Sequence, residues 1–156
     1  MMIEEIKIDK YYWKLHPKAN ILGGPNGSGK TWLLEKVYYN FLYNKNIIFI
    51  ANDSMDYEND LDKDAFKLIP FKNSSGLKRL SLLFKASKQK PEILLIDDAE
   101  LHLHVDIQRI LLKTLLSFSP ETQFIVTTHG PAIIAGWYDN VKEISQILID
   151  SENNKK

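Results

Sequence analysis

At 156 residues, with 44% hydrophobic and 26% charged positions, the chain has an ordinary globular composition and enough length to bury a core. Twenty Lys and Arg balance twenty Asp and Glu, so net charge singles out neither nucleic acid nor an anionic membrane as partner. The lack of cysteine excludes disulfides, thiolate chemistry and Cys-ligated zinc, and no apolar run reaches spanning length or looks like a signal sequence; a cytoplasmic protein without membrane insertion is expected.

Residues 1–150 read as one domain and 151–156 as a frayed polar tail. Ile3, Ile6 and Ile8 precede Tyr11-Tyr12-Trp13, which predicts a strand or hairpin at the edge of the main sheet. One of those three aromatics is a candidate to stack on a base, against their commoner use in cross-strand packing. Asn20-Ile21-Leu22 then runs into Gly24-Pro25-Asn26-Gly27-Ser28-Gly29-Lys30-Thr31, the Gly-x4-Gly-Lys-Thr pattern of a phosphate-binding loop. Its glycines let successive backbone N–H groups face phosphate oxygens, and a helix starting near Lys30 adds the positive end of its dipole. Lys30 is placed to reach the β- and γ-phosphates and the Thr31 hydroxyl to ligate Mg²⁺. Asn26, Gly27, Ser28, Gly29, Lys30, Thr31 and Trp32 are the expected nucleotide contacts.

Leu33, Leu34, Val37 and Phe41 continue at helical spacing, and Ile47–Ala51 is an apolar run of strand length, as in a strand covered on both faces. The acidic stretch with Asp53, Asp56, Glu58, Asp60, Asp62 and Asp64 lacks the glycine and terminal glutamate of an EF-hand loop, so a solvated loop is expected. Phe66 to Phe71 is a short apolar piece broken by Pro70. Asn73-Ser74-Ser75-Gly76 is small and polar, and Ser74 or Ser75 suits the N-cap of a helix burying Leu77, Leu80 and Phe84. Lys78, Arg79, Lys85, Lys88 and Lys90 would form its solvated basic side.

Ile93–Ile96 reads as a buried parallel strand ending in Asp97 and Asp98, where ligands bind in open α/β sheets. Val105–Phe118 is an amphipathic helix with Ile107, Ile110, Leu111, Leu115 and Phe118 inward. Gln123–Thr127 is a further strand with Thr128-His129-Gly130-Pro131 at its tip, and Ile147–Ile149 reads as a last strand. Strands alternating with helices around a phosphate loop predict a three-layer α/β domain with a mainly parallel sheet.

These residues resemble a known family. Residues 24–31 look like the Walker A motif of ABC-class ATPases and Ile93 to Asp98 like their Walker B strand. Asp97-Asp98-Ala99-Glu100-Leu101-His102-Leu103-His104-Val105 is similar to the Asp-Glu-Pro-Glu-x-His-Leu-His-Pro pattern of the branch with SMC-like, RecF-like and OLD-type members. Thr127–Pro131 resembles that branch's Thr-Thr-His-Ser-Pro switch, and Asn73–Arg79 a degenerate signature motif. The resemblance implies strand 123–127 between strands 20–22 and 93–97, with Ile47–Ala51 beyond the latter. It implies Asp97 on Mg²⁺, Asp98 polarising the attacking water, His129 sensing the γ-phosphate, and Ser75 and Gly76 meeting the γ-phosphate held by a second protomer. It explains His102 and His104 structurally rather than as metal ligands.

The implied activity is a Mg²⁺-dependent ATPase whose ATP-driven homodimer powers or gates a partner process, protein or nucleic acid. Asp98 stands where the family has Glu, Ala99 and Val105 where it has Pro, and Asn52 is the stand-in at the Q-loop place. Two alternatives follow: a nucleotide-gated dimerising switch with little hydrolysis, and a P-loop kinase of a small molecule. The kinase needs an arginine-bearing lid, and only Arg79 and Arg109 are present.

Overall fold

The computed structural model describes residues 2–149, so the expected tail at 151–156 lies outside the described residues. Strands β1 (Glu5–Ile8) and β2 (Tyr11–Lys14) open the chain as an antiparallel hairpin. A five-stranded sheet follows, built from β3 (Ala19–Gly23), β4 (Ile47–Ile50), β5 (Ile93–Ile96), β6 (Gln123–Thr127) and β7 (Val141–Glu143) in the order β4-β5-β6-β3-β7. Every pairing in it is parallel. The helices are α1 (Lys30–Phe41), α2 (Lys63–Leu68), α3 (Ser75–Lys88) and α4 (Val105–Phe118). This is the predicted α/β class, with β6 between β3 and β5 and β4 beyond β5.

The three layers follow from the two-residue period of the strands. Ile93, Leu95, Ile125 and Leu22 point to one face, where Leu33, Leu34 and Val37 of α1 and Ile6, Tyr11 and Trp13 of the hairpin cover them. Leu94, Ile96, Phe124, Val126 and Ile21 point to the other, against Leu77, Leu80, Leu83 and Phe84 of α3 and Leu111, Leu112 and Leu115 of α4. Both faces are covered, which is why these strands read as unbroken apolar runs. Since β6 separates β3 from β5, the loops leaving all three open on one crevice at their C-terminal ends.

Four sequence expectations are corrected. The hairpin does not extend the main sheet; it is a separate two-stranded sheet whose Ile6 and Trp13 lie in the core against α1. The edge beside β3 is taken by β7 at 141–143, not by 147–149. Ile144–Ile147 forms a 3₁₀ turn, which puts Ile144 and Ile147, three apart, on one buried side, and Leu148 bridges back to Tyr11. The broken apolar piece near Phe66 contains α2, capped by Asp62 accepting from the Ala65 N–H at 2.9 Å and ended ahead of Pro70. On α4, Leu112 is buried while Ile110 is 41% exposed.

The largest correction concerns charge. The acidic stretch is not uniformly solvated and α3 does not carry a free basic face, because the two neutralise each other. The Ser81 hydroxyl donates to Asp56 at 2.6 Å and accepts from the Asp62 N–H at 2.7 Å. Lys85 reaches Asp56 at 2.8 Å, and Lys88 reaches Asp62 at 2.8 Å and Asp64 at 2.5 Å. Asp56 and Asp62 are both buried. Arg79 is buried completely.

Burial pushes the Asp56 carboxyl upward, but Lys85, the Ser81 hydroxyl and the Glu58 N–H together hold it below its ordinary 3.8. A lowered native value means that the group's contribution is fully present above the unfolded value and drains away as pH falls through the native one. Asp56→Ala should therefore cost about 1–3 kcal/mol near neutral pH. That deficit should shrink progressively below the ordinary value of 3.8. Urea unfolding at neutral and acid pH measures it, and a deficit independent of pH would contradict the assignment.

Candidate nucleotide site

The turn between β3 and α1 is made by backbone conformations that side chains disfavour. Gly24, Gly27 and Gly29 have φ of 143°, 78° and 102°. At Gly24 space is short as well, since a Cβ would lie 3.0 Å from both Ile144 Cγ2 and Ser28 Oγ. Gly29 caps α1 in the left-handed region, and α1 starts on Lys30. The result is a recess of about 340 Å³ lined by Pro25 to Trp32 together with Asn52 and Asp98. All seven nucleotide contacts expected from this protomer, Asn26 to Trp32, line it.

Lys30 is buried, and its Nζ donates to the Gly24 and Pro25 carbonyls. These bonds fold the ammonium back over the loop that a phosphate would occupy. Thr31 donates to Asp97 Oδ2 at 2.8 Å. The Thr127 hydroxyl donates to Asp97 Oδ1 at 2.5 Å and accepts the Asp98 N–H at 2.9 Å. One threonine on β6 thus fixes both carboxylate residues at the end of β5. The Thr31 hydroxyl at the recess and the Asp97 carboxylate buried behind it are hard oxygen donors of the kind Mg²⁺ takes. That donor set fits the ion.

Asp98 stands at φ 49°, the left-handed region, and this turns its side chain toward the loop. Its carboxylate lies 3.5 Å from Asn52 Nδ2 and 3.6 Å from His129 Nε2. His129 Nδ1 faces Glu100 at 3.4 Å instead. Asp98, Glu100 and His129 thus offer ligand atoms within 4.8 Å of one another. Because the two ring nitrogens face different carboxylates, the imidazole is flanked rather than presented as one corner of a chelate.

Sequence reasoning placed Arg79 in solvent, and the structure places it behind the site. Its Nη1 donates to the Ala51 and Ser54 carbonyls at 2.8 and 3.0 Å, and its Nη2 to those of Asp97 and Asp98 at 2.8 and 3.2 Å. Nε has no partner. Burial draws the guanidinium below its ordinary value, and the charges of Asp97, Asp98, Glu100 and Asp53 counter that. A signal was present in the sequence: Ser81, Ala86 and Ser87 put small residues around α3, as in a helix buried on several sides.

The remaining candidates are scattered. Ser75 and Gly76 start α3 behind the Ser74 cap and are not among the residues lining the recess. Gly76 packs so tightly that a Cβ would lie 2.9 Å from the His102 carbonyl. His104 caps α4, accepting the Asp106 N–H at 3.2 Å. Of the three early aromatics, Trp13 is buried, Tyr12 donates to Glu5, and Tyr11 borders a second recess with Lys10, Gly29 and Trp32. Tyr11 is itself only 5% exposed, whereas Trp32 is 39% exposed with its ring centroid 6.1 Å away. Trp32 is the aromatic plane available beside the loop.

Residues 39–135 match the family described as "AAA domain, putative AbiEii toxin, Type IV TA system". Among solved structures, a protein described as an ABC transporter ATP-binding protein from Pyrococcus furiosus is 15% identical with a TM-score of 0.67, over 93% of this chain and 96% of that one. An inward-facing transporter described as metal-chelate ABC type is 16% identical with a TM-score of 0.62, over 92% and 79%. The replication initiator DnaA bound to AMPPCP and single-stranded DNA is 17% identical with a TM-score of 0.50, over 82% and 40%. At such identities the likeness is one of fold, and that fold is the ABC-class P-loop ATPase core.

The Arg79 geometry generates a test. A lysine offers one ammonium where the guanidinium serves four carbonyls in two directions. Arg79→Lys should cost at least about 2 kcal/mol in urea unfolding, because carbonyls are left unpaired out of water. A loss below about 1 kcal/mol would contradict the clamp.

Proposed function

We propose, on the premise that this chain belongs to the AAA domain family it matches over residues 39–135, that its site binds ATP with Mg²⁺ and hydrolyses it when two copies close head to tail. The observation that carries this is the line Thr31–Asp97–Thr127–Asp98 beside Lys30, brought together where α1 starts beyond β3, β5 ends and β6 ends. In this reading the loop amides and Lys30 take the phosphates and Trp32 lies against the base. Thr31 and Asp97 hold Mg²⁺, which shields phosphate charge when bound. Asp98 orients the attacking water and His129 reads the γ-phosphate. Phosphoryl transfer asks mainly for such positioning and charge stabilisation.

Ser75 and Gly76 serve the nucleotide of the partner copy. Supporting this, Ser75 is exposed at the N-terminus of the 14-residue α3 and does not line its own protomer's recess. Residues 1–150 act as one ABC-type domain of the SMC, RecF and OLD branch, working in the cytoplasm and transmitting closure to a protein or nucleic-acid partner. Among the described residues no helix is long and apolar enough to cross a membrane.

Asp98 favours one refinement, a slow enzyme that behaves as a nucleotide-gated switch. Its side chain is one methylene shorter than the family's Glu, and misplacing a catalytic group by about 1 Å can cost on the order of a hundredfold. The kinase alternative loses support, since Arg79 is enclosed in the core and Arg109 pairs with Asp106 on the surface of α4.

Single-turnover hydrolysis and sedimentation with Mg²⁺-ATP test this reading together. Asp98→Glu should hydrolyse faster than the parent at similar ATP affinity. Asp98→Asn should lose most of the remaining turnover and sediment as an ATP-dependent dimer, and adding Ser75→Arg should return it to monomer. Turnover in Asp98→Asn equal to the parent's, or an unaffected dimer with Ser75→Arg, would refute the respective role.

A further inference from the structure

Glu100 lies two residues beyond Asp98, in the turn between β5 and α4, and it is not among the residues lining the phosphate recess. Its side chain is only 12% exposed. One oxygen, Oε2, accepts the Thr128 hydroxyl at 2.7 Å. The other, Oε1, accepts the His129 backbone N–H at 3.1 Å and lies 3.4 Å from His129 Nδ1. The next residue, Gly130, sits so close that a Cβ would lie 3.1 Å from Glu100 Cγ and 3.2 Å from Gln108 Oε1. The Gly130 N–H in turn donates to Thr128 Oγ1 at 3.0 Å. Two consecutive residues at the tip of β6 are therefore bonded to one carboxylate, and the third packs against its methylene stem.

We propose that Glu100 is a positioning residue for His129: it pins the backbone of the switch segment and, by accepting from Nδ1, fixes which ring nitrogen faces the nucleotide. Both ring nitrogens face a carboxylate and a neutral imidazole carries one proton. Nδ1 is the nearer, 3.4 Å from the Glu100 oxygen that already accepts the His129 N–H, against 3.6 Å from Nε2 to Asp98. With Nδ1–H committed to Glu100, Nε2 is left facing Asp98, which lines the recess. The two carboxylates thereby have separate tasks. Asp98 lies on the reacting side, and Glu100 holds the reader of that side in orientation, as an outer carboxylate orients a histidine at other sites. This assignment rests on the reading of His129 given above.

The test uses the full chain with ¹⁵N-labelled histidine, free of nucleotide, at about pH 9 where an ordinary imidazole is neutral. The parent should show His129 protonated on Nδ1, Glu100→Ala should move that proton to Nε2, and Glu100→Gln, whose amide oxygen still accepts, should keep it on Nδ1. In single-turnover hydrolysis Glu100→Ala should fall on the order of ten- to a hundredfold, the scale of a misaligned catalytic group, with ATP affinity within about threefold of the parent. Glu100→Gln should recover part of that rate. Nε2 protonation in the parent, or the Nδ1 form persisting in Glu100→Ala, would overturn the proposal. The tautomer measurement needs no ATP and decides the role of Glu100 by itself, whereas a parent without turnover counts against the ATPase reading alone.

Discussion

A guanidinium bonded to main-chain carbonyls ties the site together. Arg79 is fully buried, and its four hydrogen bonds go to main-chain carbonyls at the exit of β4, in the following loop and at the exit of β5. A buried charge held this way is expensive unless its partners stay in place. The positions of Asp97 and Asp98 are thus coupled to α3, the helix that begins with Ser75 and Gly76. In the proposed dimer, a nucleotide touching the start of α3 would act on a helix already bonded to the main-chain carbonyls of Asp97 and Asp98 in its own protomer.

The second constraint is the sheet order. With β6 inserted between β3 and β5, Thr127 is the one side chain that meets both Asp97 and the Asp98 N–H, and the next two residues carry the switch. Strand order places His129 between the carboxylates of Asp98 and Glu100. The left-handed backbone at Asp98 completes the arrangement by turning its side chain to the loop. Strain of this kind is kept where the surrounding structure holds it, here through the Thr127 hydroxyl and Arg79.

Much of this was legible in the sequence. The glycine pattern and the apolar run before Asp97 identify the loop and strand from backbone chemistry alone, and the motif resemblance supplied the strand order. What escaped was set by tertiary contacts. Arg79, Lys85 and Lys88 look like one solvated stripe, yet one is a buried clamp and two neutralise an acidic loop that reads as solvated by itself. The apolar run Ile147–Ile149 reads as a strand by itself, whereas burial of Ile144 and Ile147 against the hairpin makes a 3₁₀ turn of the residues before it. The role of Glu100 is not legible in the sequence, because its hydrogen bonds to Thr128 and His129 cross 28 and 29 residues of chain.

The central claim is that the recess over α1 is a nucleotide site governed by Lys30. Calorimetric titration of Mg²⁺-ATP into the parent and into Lys30→Ala tests it most directly, with urea unfolding of both as a check on the fold. The account predicts saturable binding to the parent and a loss of affinity on the order of a hundredfold or more in Lys30→Ala, since the variant removes the cation nearest the phosphates. The unfolding midpoint should hold. Equal ATP affinity in the two proteins, or no binding by the parent, would contradict it.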